Sequence, residues 1–506
     1  MAIAALLAAL ALFAPESDEA RAVQALERWL DRIERGSSRY DADELRELER
    51  LVDAARAGPP EDELKRWYGA FLDLSALGLT ASSAPADFTD RARRQAWDVL
   101  QDELSFQSSS IELIEWLGRE VLVRGETSSK PRRLAAAELL RGRYLPETQL
   151  ALFTVALDPD PELERAALQA LAGWPSGDVH EFLLDRWERL EPEPRNAYLW
   201  ALEAHFGALR PPVEPQVTRR LEAVLSPLIV DVNWRLASRA TALTAPLPSS
   251  QAVPLLIESL LTWQSRVERG SGSLRIEWEL VDQLERRSNL ALGLRADRWT
   301  VWWNKARAGT LQAEDTRWRP RTRAAAFFGL KPKSDRIAFV IDVSQSMSGV
   351  DYRTRKSRYQ AAVDQLLGFL REAGPRTRFG VTLFNHSTRT WRQRLSVADE
   401  RSIETLAAWL ASREPDGGTV LETGLVAATG VSLEGDWKPE QLEADTVVIL
   451  CDGETREDAG WAEKWLDATN GTAQLIYHAI QLGNQRGTAL ETLVLRTGGD
   501  FVRQSD

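Results

Sequence analysis

The stretch Arg336-Ile-Ala-Phe-Val-Ile-Asp-Val-Ser-Gln-Ser-Met-Ser348 decides how this chain folds. Ile337 to Ile341 is an unbroken apolar run rich in β-branched residues and bounded by polar ones, the pattern of a strand buried on both faces of a parallel sheet. It runs into Asp342-x-Ser344-x-Ser346, which sets a carboxylate and two hydroxyls on a short loop at the carboxyl end of the strand, where open α/β sheets place their ligands. Such oxygen donors suit a hard cation. Mg2+ demands octahedral oxygen geometry and keeps several of its waters, so two hydroxyls with carboxylates acting through water make a sensible partial shell. Taken alone, Asp-x-Ser-x-Ser is equally the sequence of a polar turn.

Two later segments narrow the reading. Asp416-Gly-Gly-Thr-Val-Leu-Glu-Thr-Gly-Leu425 is a glycine turn presenting Thr419 ahead of a helix, and Thr446-Val-Val-Ile-Leu-Cys-Asp-Gly-Glu454 is a second buried strand ending in Asp452. In this order and spacing the three pieces resemble the metal-ion-dependent adhesion site of the von Willebrand factor A domain, over about the last third of the chain. The resemblance implies that Ser344 and Ser346 bind a divalent cation directly, Thr419 directly or through water, and Asp342 and Asp452 mainly through water. It implies Mg2+ first, with Mn2+ or Ca2+ as other occupants, and an open coordination position filled by an acidic side chain of a protein partner. The expected fold of 333–506 is a doubly wound, Rossmann-like α/β domain, with the strands ending at Asp342 and Asp452 adjacent where the winding reverses.

The rest of the 506-residue chain is helical in pattern and too long for one core. Residues 20–128 carry apolar positions three and four apart, as in Val23, Leu26, Trp29, Leu30 and Ile33. From 129 to 310 proline or aspartate repeatedly opens an alanine- and leucine-rich helix, as at Pro131, Pro146 and Pro161, and the pairing resembles HEAT-type repeats of an α-solenoid. This stretch ends in Trp299, Trp302 and Trp303, expected to cap the helical array and dock it on the next domain. Residues 311–332 read as a linker.

A net charge of −12, without a basic tract or phosphate-cradling glycine loop, argues against nucleic acid as a partner. Met1–Ala14 is apolar but shorter than the roughly 20 residues of a membrane span, so 1–19 read as a signal peptide, with no transmembrane span in the mature chain. Against that reading, no Lys or Arg precedes the run, and Pro15 disfavours cleavage after Ala14. Cys451 is the single cysteine and reads as a small buried hydrophobe, and the four histidines lack zinc-site spacing. Neutral hydroxyls around a weakly acidic ion, with no histidine in the motif, argue against an enzyme. The leading expectation is an exported, non-enzymatic protein-binding scaffold. The alternative is a cytoplasmic accessory subunit of an ATP-driven complex of the chelatase or MoxR type.

Overall fold

The computed structural model describes residues 18–36, 40–55, 64–77, 86–105, 109–123, 129–172, 174, 176–190, 192–207, 213–312, 325–350, 355–433, 435, 437–452, 455–483 and 487–504. The expected signal peptide lies outside them except for its last two residues, which open a helix at Asp18. The chain divides into two compact units, 1–210 and 211–506. The stretch read as HEAT-like, 129–310, is therefore distributed over both. No described helix is long and apolar enough to cross a membrane.

Among the described residues of the first unit every regular element is a helix, from Asp18–Glu34 to Pro192–Phe206. The predicted stripe of Val23, Leu26, Trp29, Leu30 and Ile33 is buried. The proline openings hold for physical reasons: at a first helical position the missing N–H would have had no intrahelical partner. Pro146 and Pro161 both stand there, and the Asp160 side chain accepts from the backbone N–H groups of Glu162 and Leu163. Within the helical region 20–128, α-helix Ser109–Trp116 passes directly into π-helix Leu117–Val123.

In the second unit, among the described residues, five helices, Pro215–Leu228, Trp234–Ala242, Ser249–Glu268, Leu274–Ser288 and Ala296–Ala308, precede the sheet. Trp299 and Trp302 are buried edge-to-face on the last of these, and the Trp299 indole donates to the Gly293 carbonyl. The strands are β1 Arg336–Asp342, β2 Arg378–Phe384, β3 Thr388–Thr390, β4 Ser396–Val397, β5 Thr446–Cys451, β6 Ile476–Leu482 and β7 Phe501–Gln504. Their order is β3-β2-β1-β5-β6-β7, with β3 and β4 antiparallel to β2 and every other pair parallel. This is the expected doubly wound sheet.

Both faces are covered, which is why β1 and β5 read as continuous apolar runs. Ile337, Phe339 and Ile341 join Leu366 and Leu370 of helix Arg358–Ala373 and Leu406 of helix Glu400–Ala411 in one core. Ala338 and Val340 face the other, with Leu425, Trp465 and Leu490 from helices Leu421–Thr429, Ala459–Trp465 and Thr488–Thr497. Part of the stretch read as a linker belongs to the first core: Phe327 and Leu330 exchange backbone hydrogen bonds and are buried, and Phe327 packs edge-to-face on Phe339. An aromatic with this much apolar surface gains by leaving water wherever the fold leaves room.

The amino-terminal edge of the sheet is held by helix Leu274–Ser288. Arg275 Nη1 donates to the carbonyls of Asp445 at 2.9 Å and Gln474 at 2.6 Å. Ser273 Oγ donates to Asp445 Oδ2, and Leu274 N–H to Asp335 Oδ1. Arg235 reaches the Ala473 carbonyl, its pKa pushed down to about 10 by burial and then by the charge of Arg275.

Candidate metal centre

At the opposite, carboxyl end of the strands, β1 and β5 run side by side with Ile341 opposite Leu450, so the residues after them emerge together. Asp342 is fully buried, and its Oδ1 accepts the Ser344 backbone N–H at 2.7 Å. That bond curls the chain into the short 3-10 turn Gln345–Ser348, which brings Ser344 Oγ and Ser346 Oγ to 2.9 Å of each other. The loop is tied to β2 by Val343 N–H donating to the Phe384 carbonyl.

The Thr419 turn is laced to this loop by backbone bonds in both directions. Asp416 N–H donates to the Val343 carbonyl and Gln345 N–H to the Gly417 carbonyl, at 2.7 and 3.0 Å. Gly417 has φ +74°, and a Cβ there would stand 2.1 Å from His386 Nδ1, so the turn requires glycine for both conformation and space. Thr419 itself is buried, just before helix Leu421–Thr429. The Glu457 carboxylate accepts the first two N–H groups of that helix, from Leu421 and Glu422, and so fixes where the turn ends.

Asp452 comes directly after β5 and is buried. Ligand atoms of Asp342, Cys451 and Asp452 lie within 4.8 Å of one another, and among the described residues this is the one such group of three or more His, Cys, Asp or Glu. The Cys451 thiol donates to Asp342 Oδ2 at 3.2 Å. Burial pushes Asp342 up to about 6; the Asp452 charge adds to this, while the bonds from Ser344 and Cys451 oppose it. Two buried carboxylates within 4.8 Å of one another are costly unless positive charge joins them. Arg358 Nη1 lies 3.8 Å from Asp452 Oδ2.

All five residues expected from the sequence therefore sit at one end of the sheet, Asp342, Ser344, Ser346 and Thr419 on two segments laced to each other and Asp452 directly at the end of β5. Three contributions escape a linear reading, the Cys451 thiol, the Glu457 cap and His386 against Gly417, because each joins positions far apart in the chain. Arg358 follows the first loop closely enough in sequence to be placed near the metal rim, and the structure adds that it stands beside Asp452.

Residues 335–502 match the family model for the von Willebrand factor type A domain. Inter-alpha-trypsin inhibitor heavy chain H2 of Mesocricetus auratus is 30% identical over 129 residues, which are 25% of this chain and 13% of that relative. The Mus musculus protein of the same name is 30% identical over 131 residues, again 25% and 13%. The match thus spans about 13% of the length of these relatives. Among solved structures, a von Willebrand factor type A protein from Catenulispora acidiphila aligns with 16% identity over 34% of this chain and 38% of its own, TM-score 0.27. Proximal thread matrix protein 1 from the mussel byssus aligns with 22% identity over 34% and 43%, TM-score 0.25.

Proposed function

We propose, from the premise that residues 335–502 are a von Willebrand factor type A domain, that this protein is a non-enzymatic binding protein. Its domain holds a divalent cation, Mg2+ first, and through it an acidic group of a protein partner. The observation that carries the reading is the convergence of Asp342, Ser344, Ser346, the Thr419 turn and Asp452 at the ends of two adjacent parallel strands.

The donor set fits such an ion: two neutral hydroxyls 2.9 Å apart and two buried carboxylates are hard oxygen ligands, chosen by Mg2+ over softer alternatives. Ser344 and Ser346 would hold it directly, Thr419 directly or through water, and Asp342 and Asp452 mainly through water. Once bound, the ion supplies a positive anchor for a carboxylate. The chain does the positioning: Ser344 N–H and the Cys451 thiol orient the two oxygens of Asp342, and the lacing of Asp416 and Gly417 to the first loop keeps Thr419 in reach. Neutral hydroxyl donors leave most of the ion's charge uncompensated, which favours capture of an anionic group, and the motif offers no histidine as a general base for hydrolysis.

The test is calorimetric titration of the full chain with MgCl2 and MnCl2, comparing Ser344→Ala and Asp452→Asn with the natural sequence. Saturable binding weakened by about tenfold or more in both variants is expected. A folded natural chain that binds neither ion refutes the reading.

A further inference from the structure

Arg358 is the first residue of helix Arg358–Ala373, whose start is fixed by a reciprocal capping box between Ser357 and Gln360. Its own backbone N–H donates to the Gly349 carbonyl at 2.9 Å, which anchors the helix start to the end of the first metal loop. The side chain then runs into a slot between two glycines. A Cβ on Gly349 would lie 3.7 Å from the guanidinium carbon, and one on Gly483 would lie 3.0 Å from Nη2. Gly483 comes directly after β6 with φ +101°, so the wall of the slot is backbone that a side chain would both strain and obstruct. The guanidinium emerges at the carboxylate of Asp452, 3.8 Å away and 4% exposed, while the arginine side chain keeps 22% of its surface.

The fold thus builds a fixed positive charge against one of the two carboxylates assigned to the ion. Arginine stays charged at every relevant pH. The charges are then countable. Without an ion, Asp342, Asp452 and Arg358 carry two formal negative charges and one positive. With a divalent cation the same set carries one net positive charge, and an incoming carboxylate brings it to zero. At partly exposed sites a unit charge this close shifts an ion's binding by on the order of tenfold.

We propose that Arg358 is a built-in counter-ion that sets the affinity of this metal site: it shares Asp452 with the cation and so weakens metal binding, and the same charge strengthens capture of an anionic group once the cation is in place. The inference rests on the metal-binding reading under Proposed function. Its consequence is positive coupling between cation and carboxylate, because each relieves the charge imbalance left by the other. The site is filled fully when ion and acidic partner arrive together, and a partner without an acidic group gains nothing from it.

The experiment measures Mn2+ affinity of the full chain from the free-ion electron paramagnetic resonance signal, in sodium chloride and in sodium acetate at matched ionic strength. The variants are Arg358→Gln, which removes the charge, and Arg358→Lys, which keeps it. Circular dichroism melting checks folding. Should the glutamine variant lose its cooperative melt, Arg358→Met keeps an unbranched stem in the slot and carries the same expectations.

The expected result has two opposite signs. Arg358→Gln binds Mn2+ about tenfold tighter in chloride, loses most of the acetate-dependent gain in affinity seen in the natural chain, and Arg358→Lys stays close to the natural protein. A residue that merely supports the fold would weaken both when removed. Unchanged or weaker Mn2+ binding by Arg358→Gln, with the natural chain binding normally, overturns the inference and leaves the metal site standing. Absence of binding in both folded proteins removes the metal reading itself, and this inference with it.

Discussion

Replacing Arg275 by alanine tests whether the helices before the sheet are an integral part of the second unit. Arg275 is 6% exposed, and its Nη1 serves the Asp445 and Gln474 carbonyls at 2.9 and 2.6 Å. Both carbonyls are at the entry to the β5–β6 pair, where Asp445 also accepts from Ile476 N–H. Hydrogen bonds to a charged donor contribute about 1.5–3 kcal/mol each, and one acceptor here retains a second partner. The guanidinium also stands 4.8 Å from the Trp234 ring centroid, a contact of about 1–2 kcal/mol when desolvated. Its pair with Glu279, whose side chain is 23% exposed, adds about 0–1 kcal/mol. Against this, removal relieves the repulsion that lowers the pKa of Arg235. The net expectation for Arg275→Ala is a loss of about 3–5 kcal/mol. Because the chain has two units, a single unfolding free energy is ill-defined, and amide hydrogen exchange read by mass spectrometry over residues 446–451 and 475–482 is the appropriate assay. A fall in opening free energy below about 1 kcal/mol would refute the claim that this contact holds the sheet.

Glu277 gives a pH dependence. Burial, then the charges of Asp335 and Glu268, push its carboxyl from 4.5 up to about 7. Between those values the folded form binds more protons than the unfolded, so stability falls as pH rises through this window, by about 3 kcal/mol in all, and is flat below it. Glu277→Gln should flatten that slope in melts from pH 4.5 to 8, and superimposable profiles would count against it. Gly417→Ala should destabilise by about 1–3 kcal/mol, from its positive φ and its approach to His386, and should weaken Mn2+ binding. Adding His386→Ala should recover only the steric part, leaving the conformational penalty measurable by amide hydrogen exchange over β1 and β5.

Much of the site is readable in one dimension because it is built from strand ends. A strand buried on both faces announces itself as an apolar run, and the residue where the run stops is by construction at the edge of the sheet; hence Ile337–Ile341 leads to Asp342 and Thr446–Cys451 leads to Asp452. Glycines mark a tight turn equally locally, and Gly417 and Gly418 before Thr419 do so. Residues 325–332 read as linker because the sequence around them has neither a strand period nor a helix period; Phe327 enters the core as a single anchored aromatic, with no pattern to signal it. Cys451 reads correctly as a buried residue, yet its thiol also serves Asp342, since a side chain at the end of β5 meets its neighbour on β1 only after the two strands pair.

The sequence by itself determined the alternation of buried strands and amphipathic helices, the strand-end positions of Asp342 and Asp452, and the oxygen character of the donors. These come from local rules: hydrophobic period, turn residues and the chemistry of each side chain. Tertiary structure alone decided that Arg275 grips the base of the sheet and that Arg358 stands against Asp452. Both are long, charged side chains whose sequence is indistinguishable from that of an ordinary solvated helix face. What they do depends on the field and the space at the tip of a flexible stem, and that environment is assembled only when strands distant in the chain lie side by side.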